Sequence, residues 1–276
     1  SLFVSGEINE VFLSMIQRAL TEMPERTGLL REVSPELRRS LLGIEPEKGD
    51  PKPGEATAAI ALVPMAMMEV ASPSLLTMDD KKDCAKLLTP DKVANASALV
   101  FVEAVKYALT GELDEPAILE KGLAKLHQFS LHVEGALEET NRVTSDLIQI
   151  IPGLLKEGND AITRQSIVSE VGRHFPEHPI TDPQIACAPA NIAWAIYLSL
   201  RQRRFDQPVL DAVQGGRETS EMASLCGALS GARLGIQAIP AEWRKKCLAS
   251  DLAATYATAI EHNDPSLIYE FDLFGL

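Results

Sequence analysis

The stretch from Asp211 to Trp243 constrains the fold most strongly, because glycine recurs in it at helical spacing. Gly227, Gly231 and Gly235 follow one another every four residues, and such positions lie on one face of an α-helix. Glycine weakens an exposed helix by about 1 kcal/mol relative to alanine. We therefore expect a buried helix whose glycine face lets another backbone come very close.

Two carboxylates stand at the start of this predicted helix. Glu218 and Glu221 follow a Gly-Gly turn at Gly215 and Gly216. The unpaired N–H groups and the positive dipole end of a first helical turn favour negative charge. The pair therefore serves either as ordinary dipole partners or as functional carboxylates, and its spacing alone does not choose between these interpretations.

Composition limits the partners and the compartment. The chain has 26 basic and 39 acidic residues, and its net charge of −13 repels polyanions. Nucleic acid and anionic membrane surfaces are therefore not expected as partners, and no stretch reaches the roughly 20 apolar residues of a membrane span. The chain begins without a signal-peptide pattern, and its four cysteines lack C-x-x-C spacing. We expect reduced core thiols in a cytoplasmic protein.

Apolar periodicity predicts helices throughout the chain and no convincing strand. No repeat of about 20 to 50 residues separates them, which argues against a solenoid. We therefore predict one all-α domain over residues 1–276. The predicted helices cover residues 7–23, 35–42, 56–70, 91–109, 116–137, 142–156, 161–171, 190–200, 206–213, a helix within 211–243, and 242–259.

Two short patterns partly resemble metal sites. Thr77 followed by Asp79 and Asp80 is interpreted as a helix cap with an acidic first turn rather than a carboxylate cluster. His174 and His178 have the four-residue spacing of some zinc ligands, but the prolines between and after them break the helix that such a pair needs. We interpret both histidines as turn residues.

The run GGRETSEMASLCGALSGARLGIQAIPAEW resembles the carboxyl-terminal signature of the ADP-ribosylglycohydrolase family. Members of that family read Gly-Gly-Asp-x-Asp-Thr, then a helix with Gly-Ala-Leu-x-Gly-Ala, then Gly, Ile-Pro and Trp. Weaker similarity lies in GEATAAIALVPMAM, residues 54–67, and in residues 88–109. The resemblance covers roughly residues 54–245 and implies a compact orthogonal multi-helix bundle.

The resemblance also implies a chemistry. Family members are hydrolases that remove ADP-ribose from proteins or related compounds with a pair of Mg²⁺ ions, which carboxylates hold. Aligned without a gap, Glu218 replaces the first metal-binding aspartate, Ser220 the second, and Glu221 the metal-binding threonine. Glu218 and Glu221 are thereby the candidate catalytic and Mg²⁺-binding residues, and Gly216, Arg217 and Ser220 the candidate ligand-binding residues.

Departures from the family pattern predict a degenerate metal site. Serine supplies no charge at position 220, and Arg217 places a cation that could pair with Glu221 or with a phosphate. The family's amino-terminal Gly-Asp and Thr-Asp-Asp-Thr motifs have no counterpart before Gly54, and Ala61 stands at an expected arginine.

Three functions stay open on the sequence alone. The first is an ADP-ribose hydrolase with an altered site and altered or lost activity. The second is a catalytically inactive relative that binds a nucleotide-like ligand or a protein partner. The third is a shared fold with its function elsewhere on the surface.

Overall fold

A computed structural model describes residues 54–89, 91–114, 116–138, 141–247 and 250–264 of the chain. The predicted helices over 7–23 and 35–42 lie outside these residues. The described part contains no β-strand, which confirms the all-α prediction. Its helices are α1 (Thr57–Ala71), α2 (Met78–Leu88), α3 (Lys92–Leu109), α4 (Pro116–Ala136), α5 (Val143–Glu157), α6 (Asp160–His174), α7 (Ala188–Arg201), α8 (Asp206–Gln214), α9 (Thr219–Leu234), α10 (Ala241–Lys246) and α11 (Ser250–Glu261), with a 3₁₀ turn at Ile236–Ala238.

Local capping signals start and end several helices where the sequence predicts. Thr77 and Asp80 form a capping box at α2, in which the Thr77 N–H donates to the Asp80 carboxylate at 2.7 Å. Asp91 caps α3 by accepting a hydrogen bond from the Ala94 N–H at 2.6 Å. Gly111 follows α3 with φ of 78°, a left-handed conformation that glycine adopts without strain. The interpretation of Thr77–Asp80 as a cap is confirmed.

The core is organised around α3 and α7. Every residue of α7 from Ala188 to Leu200 is buried, and α3 is buried from Val93 to Val105. The two helices contact each other, and both pack on α5 and α9. Many of their residues are alanine, and small side chains let neighbouring helices surround a helix on all sides. This central pair fixes the positions from which α1 and α9 approach each other.

The glycine face of α9 does not lie against a backbone, so that expectation is wrong. A Cβ atom added at Gly227 would meet Cγ2 of Val209 at 3.9 Å, and one at Gly231 would meet Cε2 of Phe205 at 3.6 Å. Both are ordinary van der Waals distances. Side chains from Phe205 and α8 fill the space beside these glycines, and the buried face of α9 is instead formed by residues such as Met222 and Leu229.

Two other expectations on helix burial and length need correction. The apolar residues of 56–70 surround the predicted helix nearly completely, which predicts burial on most sides. Helix α1 instead continues through Pro64 to Ala71 and exposes Ala61, Pro64 and Val70. The helix predicted over 242–259 is two helices, because the backbone turns extended at Cys247 (ψ 112°). Three cations in the last turn of α10 suit a helix carboxyl end there.

His174 is the last residue of α6 and not a turn residue, because that helix extends three residues beyond the predicted end at Val171. His178 does lie in the following turn. The four cysteines are free; Cys187 and Cys226 are buried, whereas Cys247 is exposed and is no core thiol. None of the helices described has the length and apolar character needed to cross a membrane.

Candidate functional site

The amino-terminal ends of α1, α7 and α9 lie together. The N–H of Ala188, the first residue of α7, donates to the carbonyl oxygen of Gly54 at 2.7 Å. The hydroxyl of Thr57, the first residue of α1, donates to Oε1 of Glu221 at 3.1 Å. Glu221 is the third residue of α9, so a single side-chain hydrogen bond joins the starts of α1 and α9. The positive ends of these helix dipoles favour negative charge at this position.

Glu221 is almost fully buried, with 9% of its surface exposed. Its pKa is raised from 4.5 to about 7, mainly because burial disfavours the ionised form. Hydrogen bonds from the Thr57 hydroxyl and the Ala56 N–H lower this pKa. The charges of Glu55 and Glu218 raise it. Near neutral pH the Glu221 side chain is therefore divided between its carboxylic acid and carboxylate forms.

The turn before α9 carries the other predicted site residues. Gly216 and Arg217 both have left-handed backbones, with φ of 73° and 63°. Arg217 is exposed and makes no ion pair or hydrogen bond with a described carboxylate, so of its two possible partners, Glu221 and a phosphate, Glu221 is not paired with it. Glu218 caps α9 by its backbone and is partly exposed, and Ser220 is exposed. The fold thus brings all five predicted residues to one turn, but only Glu221 points inward.

Gln184 holds this turn from behind and is completely buried. Its Nε2 donates to the carbonyl oxygens of Ala212 at 2.8 Å and Gly216 at 3.3 Å, and its own carbonyl oxygen accepts from the Glu218 N–H at 3.2 Å. A Cβ atom added at Gly215 would lie 2.0 Å from Oε1 of Gln184. Gly215 is therefore required by close approach of a side chain.

A second layer fixes the Gln184 amide. Its Oε1 accepts hydrogen bonds from Nη2 of Arg164 at 3.0 Å and Nε1 of Trp194 at 3.1 Å. The Arg164 guanidinium lies 4.5 Å from the Trp194 ring centroid and donates to both Asp182 oxygens at 2.9 and 3.0 Å. The amide orientation is thereby determined, because two donors face its oxygen and two carbonyls face its nitrogen.

The described residues at this turn form no close group of three potential metal ligands. An octahedral Mg²⁺ site needs ligand oxygens about 3 Å apart when adjacent and about 4 Å when opposite. Among the described residues, Glu55, Glu218 and Glu221 do not form a group whose ligand atoms all lie within 4.8 Å of one another. The metal-binding role of Glu218 and Glu221 stays a prediction.

Sequence reasoning missed three contributors to this site. Thr57 and Glu55 fall inside the quoted run GEATAAIALVPMAM, but nothing in that run shows which carboxylate they face. Gln184 lies in the proline-rich connector before α7 and belongs to no helical pattern. Only the approach of distant segments reveals these residues.

Comparison with known proteins places the chain in a family. The ADP-ribosylglycohydrolase family pattern matches residues 5–266, beyond both ends of the stretch 54–245. A curated relative, ADP-ribosylhydrolase ARH3 from Bos taurus, is 23% identical over 168 residues, which are 59% of this chain and 46% of that relative. The chain thus spans less than half of the length of this relative.

The family match agrees with the all-α fold and with the glycine-containing helix that follows a Gly-Gly turn. It extends over nearly the whole sequence, and family members typically use divalent metal ions. The chain belongs to the ADP-ribosylglycohydrolase family.

Proposed function

We propose that this chain binds an ADP-ribose-like ligand without a divalent cation, at the surface formed by the first turn of α9 and the start of α1, and does not hydrolyse it at the rate of a two-metal enzyme. The observation that carries the proposal is the position of Glu221. Its carboxyl group is buried against Thr57 and is about half protonated at neutral pH. With Glu55 and Glu218 it forms no group of three described side chains whose ligand atoms all lie within 4.8 Å of one another.

The remaining surface has groups suited to a nucleotide-like ligand. The first-turn N–H groups of α9 and the Arg217 guanidinium attract a diphosphate. The Glu218 carboxylate can accept hydrogen bonds from ribose hydroxyl groups, and Ser220 offers an exposed hydroxyl group. Gly216, between Gln184 and Arg217, lets the turn present these groups together.

Titration calorimetry with ADP-ribose tests the proposal. We expect equal affinity in excess EDTA and in excess Mg²⁺, and a loss of about tenfold or more in Arg217→Ala, because a charge-assisted contact to phosphate contributes about 1.5–3 kcal/mol. Arg203→Ala is the matched control. Arg203 is exposed, and its charge lowers the pKa of Arg233 at the opposite end of α9. The 16 residues of α9 span about 24 Å. Binding that requires Mg²⁺ would contradict the proposal, and no binding in either buffer would leave a protein-interaction role.

A second candidate is metal-independent hydrolysis by acid–base catalysis. The observation that favours it is the pKa of about 7 at Glu221, a value suited to a general acid at neutral pH, next to Glu218. Release of ADP-ribose from a modified protein, measured in EDTA and in Mg²⁺, separates the candidates. Turnover in EDTA that Glu221→Gln abolishes would support the second candidate, and release at background rates in both buffers would support the binding function.

The binding partner and the cellular compartment belong to the same proposal. The net charge of −13 disfavours polyanionic partners, and ADP-ribose or an ADP-ribosylated protein is the partner that family membership suggests. Free cysteines suit the reducing cytoplasm.

A further inference from the structure

We propose that Asp146, Glu170 and His174 bind a divalent transition-metal ion such as Zn²⁺ between α5 and α6. These residues lie outside the turn before α9, and the inference does not depend on the proposed function. They are the one group of three potential metal-binding side chains in the described part of the chain whose ligand atoms all lie within 4.8 Å of one another.

The distances already approach those of a coordinated ion. Nε2 of His174 lies 3.1 Å from Oδ2 of Asp146 and 3.5 Å from Oε1 of Glu170. A tetrahedral Zn²⁺ ion bound at about 2.0–2.2 Å places neighbouring ligand atoms about 3.3 Å apart. Little movement of the side chains would therefore admit the ion.

Rigid helices hold the three ligands. Glu170 and His174 are four residues apart, so they lie on the same face of α6. Asp146 is in the first turn of α5, which packs on α6. A short connection at Gly158 and Asn159 joins the helices. Bound metal would fix the carboxyl end of α6 to the start of α5.

The types of ligand atom select the class of metal. One imidazole nitrogen with two carboxylate oxygens suits Zn²⁺, Co²⁺ or Mn²⁺, whereas Mg²⁺ prefers oxygen ligands throughout. The Asp146 side chain is 40% exposed, against 12% for Glu170 and 16% for His174. Solvent can therefore reach the ion from the Asp146 side and supply a fourth ligand.

Neighbouring charges change the affinity of these three residues for a metal ion. Nη1 of Arg173 donates to both Glu170 oxygens, at 3.1 and 2.8 Å, which orients the carboxylate and neutralises part of its charge. A protonated His174 paired with the two carboxylates is the arrangement that competes with a metal ion. Both arrangements use the same contacts, so the experiment must detect coordination directly.

Titration of the metal-stripped chain with Co²⁺ tests the site. We expect a visible absorption band of tetrahedral Co²⁺ that saturates at one equivalent, and displacement of that band by Zn²⁺. His174→Ala and Asp146→Asn should abolish it. His178→Ala, which removes the next histidine along the chain, and the double variant Glu218→Gln with Glu221→Gln should retain it. Circular dichroism checks that each variant is folded, and Asp146→Asn keeps the test available if His174→Ala does not fold.

Three results would overturn the proposal. The first is a wild-type chain without the band at stoichiometric Co²⁺, which would identify the cluster as an ion pair. The second is a band that persists in both His174→Ala and Asp146→Asn. The third is a band lost in the double glutamine variant, which would place the ion at the turn before α9. The first two results leave the proposed function untouched, and the third would also count against a cation-free site at that turn. Titration with ADP-ribose in EDTA and in Mg²⁺ therefore distinguishes failure of one proposal from failure of both.

Discussion

At the scale of single residues, Glu221 shows how burial changes the protonation of a carboxyl group. By sequence it is one of two acidic residues at the start of a helix. In the fold it is enclosed between the starts of α1 and α9, and Thr57 donates to it. Burial raises its pKa to about 7, so the folded protein binds its proton more tightly than the unfolded chain does.

This coupling predicts a stability that depends on pH. The contribution of protonated Glu221 is complete below pH 4.5, falls as pH rises to about 7, and is lost above it. The difference between the two pKa values corresponds to about 3 kcal/mol. Glu221→Gln, which keeps the acceptor for Thr57 without the charge, should therefore be more stable than wild type at pH 8 by up to about 3 kcal/mol and nearly equal at pH 4.5.

Urea unfolding at several pH values measures this difference. Glu242→Gln, an exposed change on α10, is the control and should follow the wild-type pH profile. A Glu221→Gln variant whose stability parallels wild type from pH 4.5 to 8 would contradict the assigned pKa.

At the scale of elements, the turn before α9 and the helix itself use glycine for different reasons. Gly215 has an ordinary helical φ of −64°, but the Gln184 side chain occupies the space beside it. Gly227 has room for a methyl group. The periodic glycines identify the family, whereas the glycine outside that period is the one required by packing.

Two alanine substitutions separate these cases. Gly227→Ala should stabilise the protein by about 0.5–1 kcal/mol, because alanine favours the helix. Gly215→Ala should destabilise it by about 1–3 kcal/mol, because Gln184 must give up hydrogen bonds to move. Thermal unfolding of both variants measures the effects. Equal changes in both would mean that Gln184 does not hold the turn.

At the scale of the whole molecule, one continuous set of buried apolar residues extends from α1 to α9, with α3 and α7 at its centre. The single domain over residues 1–276 stays a prediction, which unfolding can test. Residues far apart in sequence, such as Ala59 and Leu229, belong to the same set.

We therefore expect one cooperative unfolding transition. Far-UV circular dichroism and tryptophan fluorescence should give the same midpoint, because buried Trp194 reports from α7 and half-buried Trp243 reports from α10. Leu99→Ala, in the centre of α3, should cost about 3 kcal/mol and shift both probes equally. Leu210→Ala, at a partly exposed site, should cost less. Transitions that separate by probe would indicate two domains.

Local chemistry explains what could be predicted from the sequence. The caps at Thr77, Asp91 and Gly111 and most helix positions depend on residues within about one turn of each other. The errors at α6 and at 242–259 concern helix ends, which packing and single backbone angles determine. The family resemblance could also be recognised from the sequence, because the glycine-containing helix and the turn before it form one contiguous stretch.

The sequence by itself determined the all-α class, the family and the turn that carries the candidate site. Each of these depends on residues that are close together in the sequence. Only the tertiary structure decided that Glu221 is buried against Thr57, 164 positions away, and that Gln184 holds the turn. It also placed Asp146 beside Glu170 and His174. These contacts arise when separate helices pack, and the charge state of a carboxylate follows from the surroundings that packing creates.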